Sequence, residues 1–250
     1  MIRLFILFIC AITLQFASGC ASLQPGRDSD ATGSPWSVVS TGAINTGTWS
    51  HYKLPGKTPS QFDYVSEDGR DAISAKAQSS ASMLRQTVRV EANDLGLLQF
   101  SWKLPELIQY ADMSLRELDD SPVRVVLAFE GDRGKFSAKN AMLSELAHVL
   151  TGEPLPYATL MYVWCNECEP LKTIQNPHTD RIRKLPLESG TAKLNQWMSY
   201  ERSVRADFID AFGEEPGVLT SISIMTDSDN TKSVARAFYG KVSLSPIQRK

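Results

Sequence analysis

Three short segments of this chain gather side chains able to do chemistry. The first runs Asn176-Pro177-His178-Thr179-Asp180-Arg181-Ile182-Arg183 and joins a turn-forming Asn-Pro to an imidazole, a carboxylate and two guanidinium groups. Arginines two apart on a strand share a face. Their planar forks match a carboxylate or sulfate, as on an acidic sugar. The alternative is a solvated strand face with Arg181 paired to Asp180 or to another surface acid. The second segment, Asp227-Ser228-Asp229-Asn230, crowds oxygen ligands into a loop after an apolar strand. Asp227, Asp229 and Asn230 are candidate ligands for a structural calcium, a hard cation that takes about 6–8 oxygens. It is no EF-hand, because Lys232 stands where the sharp-turn glycine belongs. A polar turn closed by Asx hydrogen bonds is the other reading. The third is Cys165-Asn166-Glu167-Cys168. In an oxidising compartment such a pair forms a disulfide, here expected to close a hairpin loop. Free thiols and redox chemistry stay open. Zinc lacks a second pair of ligands, since His51, His148 and His178 are scattered.

Aromatic side chains offer flat platforms on which the C–H faces of sugars stack. Trp102 and Trp164 lie inside apolar runs and are expected in the core. Trp49 and Tyr52, near Pro55-Gly56, are expected to be exposed and to contribute to ligand binding. Asn176, His178, Arg181, Arg183 and Tyr239 complete the candidate binding set. The motifs of a serine hydrolase elbow, a zinc protease helix and a phosphate loop are missing from the sequence. Two functional readings follow. The first is a non-catalytic binding module for a saccharide or a partner protein of the cell envelope. The second is an enzyme acting on polysaccharide, a hydrolase or lyase, with His178 as acid, the arginines as charge neutralisers and Tyr239 as base.

The balance of 26 Lys and Arg against 28 Asp and Glu gives a formal charge of −2, with no basic stripe for nucleic acid. Hydrophobic residues at 42% and charged residues at 22% are ordinary for a globular chain. The amino terminus is not ordinary. Arg3 precedes a run from Leu4 to Phe16 broken only by Thr13 and Gln15. This is the build of a secretory signal, shorter than the ~20 apolar residues of a membrane span. Ala17-Ser18-Gly19-Cys20 follows and resembles a bacterial lipobox, with Ala17 where Leu is usual. Cys20 is therefore expected to carry diacylglycerol and to anchor the chain to a membrane. Ala21 and Ser22 after it, with no Asp, fit the outer membrane facing the periplasm. Ordinary cleavage and a soluble periplasmic protein is the alternative. No cofactor is expected beyond the possible calcium.

These features divide the chain into a signal over residues 1–19, a lipidated cysteine and flexible tether over 20–35, and one domain over 36–250. Within the domain, period-two alternation predicts strands over residues 85–91 and 98–104, with Val88, Val90, Phe100, Trp102 and Leu104 inward. Continuous apolar runs over 123–129 and 158–164 predict central strands buried on both faces. Residues 180–187, 219–225 and 235–244 complete the strands. Ser137 is placed to cap a helix reaching His148. A second helix is expected over 200–212, stopped by Gly213, and a short third over 104–110. Many strands, few helices and no βαβ rhythm predict a mainly β fold: an antiparallel β-sandwich with two or three helical insertions.

Several stretches, taken together, resemble the bacterial family catalogued as domain of unknown function 3047. They are residues 49–59, 79–82, 98–104, 157–164, 176–183 and 224–231, with Phe238-Tyr239-Gly240 after them. The resemblance implies no assigned chemistry. Its layout is similar to jelly-roll modules that bind sugars beside polysaccharide-degrading enzymes. Cys165 and Cys168 depart from the family pattern, which has an unpaired turn there.

Overall fold

The computed structural model describes residue 31, residues 33–40 and residues 48–245. The signal, Cys20 and most of the tether lie outside the described residues. The described chain is a two-sheet sandwich. A seven-stranded sheet has the order β1 (Trp49–Lys53), β4 (Ala81–Val90), β11 (Leu219–Asp227), β6 (Arg124–Phe129), β7 (Ala158–Cys165), β9 (Ile182–Ser189), β8 (Ile174–Gln175). A five-stranded sheet has the order β10 (Trp197–Ser203), β5 (Leu97–Lys103), β12 (Val234–Ser245), β3 (Arg70–Gln78), β2 (Gln61–Glu67). Pairings among the described residues are antiparallel except β7 with β9. Three helices are added: α1 (Pro35–Val39), α2 (Ala138–Thr151) and α3 (Val204–Phe212).

The main core lies between the sheets. Leu84, Val88 and Val90 meet Phe100, Trp102 and Leu104 there, with Val125, Leu127, Leu160, Tyr162, Trp164, Ile222 and Ile224. The alternation in β4 and β5 thus has the expected phase. All six residues of β6 are buried, as the continuous apolar run requires. Since Val125 and Leu127 point into the sandwich, Arg124 and Val126 point to the outer face of the seven-stranded sheet.

Three differences from expectation have local causes. Residues 200–212 are not one helix. Met198, Tyr200 and Arg202 alternate as part of β10, paired to β5, and α3 begins only after Ser203, whose hydroxyl accepts from the Ala206 N–H. Residues 104–110 form no helix. There Leu104 and Ile108 are buried at a spacing that extended chain satisfies as well as helix. The β2–β3 hairpin was not foreseen, because β3 fills its inner positions with Ile73, Ala75 and Ala77 rather than bulky strand formers. Its turn did carry a signal. Asp68 and Gly69 both have positive φ (51° and 74°), the backbone that an Asp-Gly hairpin turn supplies.

The packed domain also begins before Trp36. Ala31 and Ser34, in the segment read as tether, are buried, and Ser34 caps α1. Trp36 is fully buried and donates its indole N–H to the Gly240 carbonyl (2.8 Å).

Candidate functional site

Alternation along four strands places charged side chains on the outer face of the central sheet, where residues 112–121 cover them. Lys184 on β9 is fully buried and donates to the Met113 carbonyl (2.8 Å) and to Asp119 Oδ1 (2.5 Å). Arg124 on β6 donates through Nε and Nη2 to the two oxygens of Asp227 (both 2.9 Å), and through Nη2 to the Asp119 carbonyl (3.0 Å). Burial lowers the Lys184 ammonium to about 8, helped by nearby Arg124 and opposed by Asp119. Burial likewise pushes the Asp227 carboxyl up to about 6, against the pull of Arg124. Neither Arg124 nor Lys184 is among the candidates that the sequence offers. At Arg124 the available signal was a full charge inside a strand otherwise apolar on both faces; Lys184 follows Arg183 in a strand that also holds Glu188, and carried no such signal.

The predicted Asn176–Arg183 segment feeds into this network at one end only. Asn176 accepts from the His178 N–H (2.8 Å), the expected turn, and donates to Asp119 Oδ2 (3.0 Å). The exposed His178 imidazole is held below its usual range, first by partial burial and then by Arg116. The arginines go elsewhere. Arg181 donates to the Tyr157 carbonyl (2.8 Å) and to Glu214 (2.7 Å), with its guanidinium 3.9 Å from the Tyr157 ring centre. Arg183 donates to the Ala211 carbonyl (3.2 Å). Both lean on Phe212 of α3, at 5.5 and 5.4 Å, so they do share a side. The partner of Arg181 is Glu214 rather than Asp180, which instead accepts from Asn140 (2.6 Å). Beneath α2, Arg181, Asn140, Thr159 and Thr179 border a cavity of about 30 Å³. That holds a water or two and no sugar ring.

Two candidates prove to be interior. Trp49 is buried, with its ring 4.9 Å from that of Trp36 and its indole N–H donated to the Ser40 carbonyl (2.7 Å). Its inward phase in β1 overrides the nearby turn. Tyr239 is fully buried between the sheets. Its hydroxyl accepts from the Arg124 N–H (3.1 Å), pairs with Thr226 Oγ1 (2.9 Å) and donates to the Met225 carbonyl. Burial pushes its phenol well above the usual tyrosine range. A buried tyrosine used this way cannot share a cleft with the exposed His178, and the acid–base pairing expected of these two is corrected accordingly.

Asp227 and Asp229 do come together, with Asp120 as the third carboxylate in place of Asn230, whose side chain donates to the Arg116 carbonyl (2.8 Å). Each carboxylate is already served. Asp227 holds Arg124, Asp229 holds Lys57, and Asp120 accepts from Asn230 N–H, Thr231 N–H and Thr231 Oγ1. Calcium would have to displace these donors. EDTA is therefore expected to leave the melting temperature unchanged, and calorimetric titration with calcium to release no heat. A calcium-dependent rise in melting temperature would contradict this. Cys165 and Cys168 are joined to each other at the end of β7. The turn they close leads on to β8, while the strand beside β7 is the parallel β9, so no hairpin spans the pair.

The outer face between α2 and the 112–121 segment is a partly covered apolar strip. Strand register sets Arg85, Ser223, Val126, Met161 and Lys184 in one row across the sheet. Tyr52, Met83, Met225, Arg124 and Val163 form the next. Leu54, Met83 and Met161 lie half-buried over Ala81, Val126 and Met225. The Tyr52 ring carries the Arg85 guanidinium at 3.9 Å. Helix α2 bounds one side. Its 14 residues span about 21 Å, close to the four strand spacings, about 19 Å, from β9 to β4. Its two ends are tied at those strands: Asn140 to Thr179 and Asp180 just before β9, and Glu153 to the fork of Arg85 on β4 (2.8 and 3.1 Å). The 112–121 segment bounds the other side.

The family model described as protein of unknown function (DUF3047) matches residues 47–243. No curated protein sequence matches the chain. Among solved structures, the xyloglucanase domain of NopAA from Sinorhizobium fredii, in complex with cellobiose, is 10% identical with a TM-score of 0.41, covering 81% of this chain and 97% of its own. Endoglucanase cel12A from Rhodothermus marinus is 8% identical with a TM-score of 0.41, covering 81% and 99%. The family 11 xylanase from Neocallimastix patriciarum is 11% identical with a TM-score of 0.35, covering 82% and 97%. The likeness is one of two-sheet layout and extends to no residue or substrate.

Proposed function

Because this chain belongs to the DUF3047 family, a family of unknown function, we propose its role from geometry: a non-catalytic binding module of the cell envelope that takes a saccharide on the outer face of the seven-stranded sheet. The observation that carries this reading is the apolar strip in which half-buried Leu54, Met83 and Met161 pack over Ala81, Val126 and Met225, with the stacked Tyr52–Arg85 pair beside it. Methionine gives an adaptable apolar floor, and a tyrosine ring suits the C–H face of a sugar while polar rims serve its hydroxyls. Carboxylates around this face are held by cations of the chain itself: Asp227 by Arg124, Asp119 by Lys184, Glu153 by Arg85 and Glu214 by Arg181. Glycoside hydrolysis needs two carboxyl groups poised across the bond, and carboxylates locked in such pairs favour binding over turnover.

A glycan array probed with the detergent-solubilised protein tests the reading. A retained glycan should bind at least tenfold more weakly to Tyr52→Ala, with melting unchanged because Tyr52 lies outside the core. Equal binding by Tyr52→Ala, or no glycan retained, would overturn it.

Anchoring belongs to the same proposal. The run from Leu4 to Phe16 followed by Cys20 supports a lipid-modified amino terminus. Two or three acyl chains give anchoring that one does not. Among the described residues no helix is long and apolar enough to cross a membrane. Cys20→Ser is expected to move the protein from the membrane fraction to the soluble fraction and to abolish palmitate labelling. A Ser variant that still pellets and labels would remove the anchor from the reading.

A further inference from the structure

Helix α2 faces the wrong way for a helix that packs on a sheet. A surface helix normally turns its apolar stripe to the core. Here the buried residues are Asn140 and Ser144, followed at helical spacing by the half-buried Ala147 and Thr151. On the opposite side stand Met142, Leu146, Val149 and Leu150, with 64%, 53%, 81% and 60% of their surface exposed. At 3.6 residues per turn the first three fall on one narrow ridge with Leu150 on its flank. The helix is well formed, capped by Ser137 at its start and by Gly152 in a left-handed conformation at its end. Polar ties at both ends hold it in this orientation, so the outward ridge is built into the fold.

We propose that this ridge rests on a phospholipid surface, the one to which the chain is anchored. The inference rests on the anchoring reading above, but its test is separate. A second copy of the chain is a poor occupant, because four side chains fall well short of the roughly 800 Å² per partner of a stable pair. A bilayer asks for no matching shape and needs little affinity once the domain is leashed to it. Ala31, the first described residue and a buried one, is eleven residues on from Cys20. Even fully extended, that stretch reaches about 40 Å, so the domain stays within about that distance of the lipid. Charge at the helix start suits anionic headgroups. Lys139 is exposed on the ridge side, and Arg133 and Lys135 are exposed in the turn before it. Interfacial helices of this kind sink an apolar face into the headgroup boundary with basic residues alongside.

The test uses the full-length protein in vesicles of phosphatidylethanolamine and phosphatidylglycerol, spin-labelled at Leu146→Cys or, as a control, at the exposed Val234→Cys on β12. The expected result is a several-fold gain in oxygen accessibility and a matching loss of accessibility to a water-soluble nickel chelate at position 146, with position 234 unchanged. A label at 146 that stays aqueous on vesicle-bound protein overturns the proposal. So does spin–spin broadening at 146 in detergent without vesicles, which would make the ridge a seam between two copies. If palmitate labelling shows no lipid at Cys20 but the label at 146 still enters added vesicles, the ridge stands and the anchor reading falls.

Discussion

Arg124→Met is expected to lower the unfolding free energy by about 3–5 kcal/mol, the range found when one partner of a buried ion pair is removed. For a domain of this size that is roughly 10 °C in melting temperature. The substitution keeps much of the side-chain volume, so loss of packing is not the main effect. What it leaves behind is Asp227, buried, with two oxygens that no longer meet the guanidinium and one remaining donor, the Ser121 N–H. The Asp119 carbonyl loses its Arg124 donor as well. The diagnostic result is the double variant Arg124→Met with Asp227→Leu, in which both charges are gone. It should recover most of the loss, because replacing a whole buried pair by apolar groups is often neutral. Urea denaturation of the two single variants and the double variant measures this. A double variant as unstable as the sum of its parents would show that the pair acts through something other than mutual compensation of buried charge.

Trp36→Ala should be of similar size, about 3–5 kcal/mol, for a different reason. It removes a fully buried indole, leaves a cavity against Trp49 and strands the Gly240 carbonyl that accepted the indole N–H. Trp36→Phe keeps most of the volume and should cost only the hydrogen bond, about 1–2 kcal/mol. Thermal melts of the two variants separate cavity from hydrogen bond. The stakes exceed stability, since Trp36 fastens the start of the domain where the leash arrives. If Trp36→Ala melts like the wild-type protein, α1 is an appendage and the domain begins at β1.

The legible parts of the fold were those where pattern and burial coincide. Val88 and Val90 alternate with Arg89 and Glu91 and face the core as expected. The runs in β6 and β7 are apolar on both faces because loops and α2 cover the outer one. Ser137 announces α2 by its own side-chain chemistry. Legibility failed where side chains were small or where tertiary contacts outvoted local pattern. The inner positions of β3 are two alanines and an isoleucine, and residues 197–203 take strand pairing from β5 although they adjoin a helical stretch. The candidate site was readable in pieces. Sequence found Asp227, Asp229 and Asn176 as polar residues near strand ends, but their partners are Arg124 on β6, Lys57 after β1 and Asp119 in the 112–121 segment, 57 to 172 residues away in the chain. Exposure was harder still. Trp49 and Tyr239 look like surface aromatics beside turns, and only strand phase sends them inward. The ridge of α2 has the spacing of an ordinary amphipathic helix, and nothing local reveals that its apolar side faces out.

The order of strands carries a consequence for how the molecule is made. In the seven-stranded sheet, β11 lies between β4 and β6; in the other sheet, β12 lies between β5 and β3. The last two strands among the described residues are thus interior strands, one in each sheet. Until residues 219–245 are available, each sheet exists only as separated halves with open edges. A chain emerging from its amino terminus cannot complete either core early, and pairings this distant in sequence form slowly. Each sheet therefore stays open until β11 and β12 join its halves.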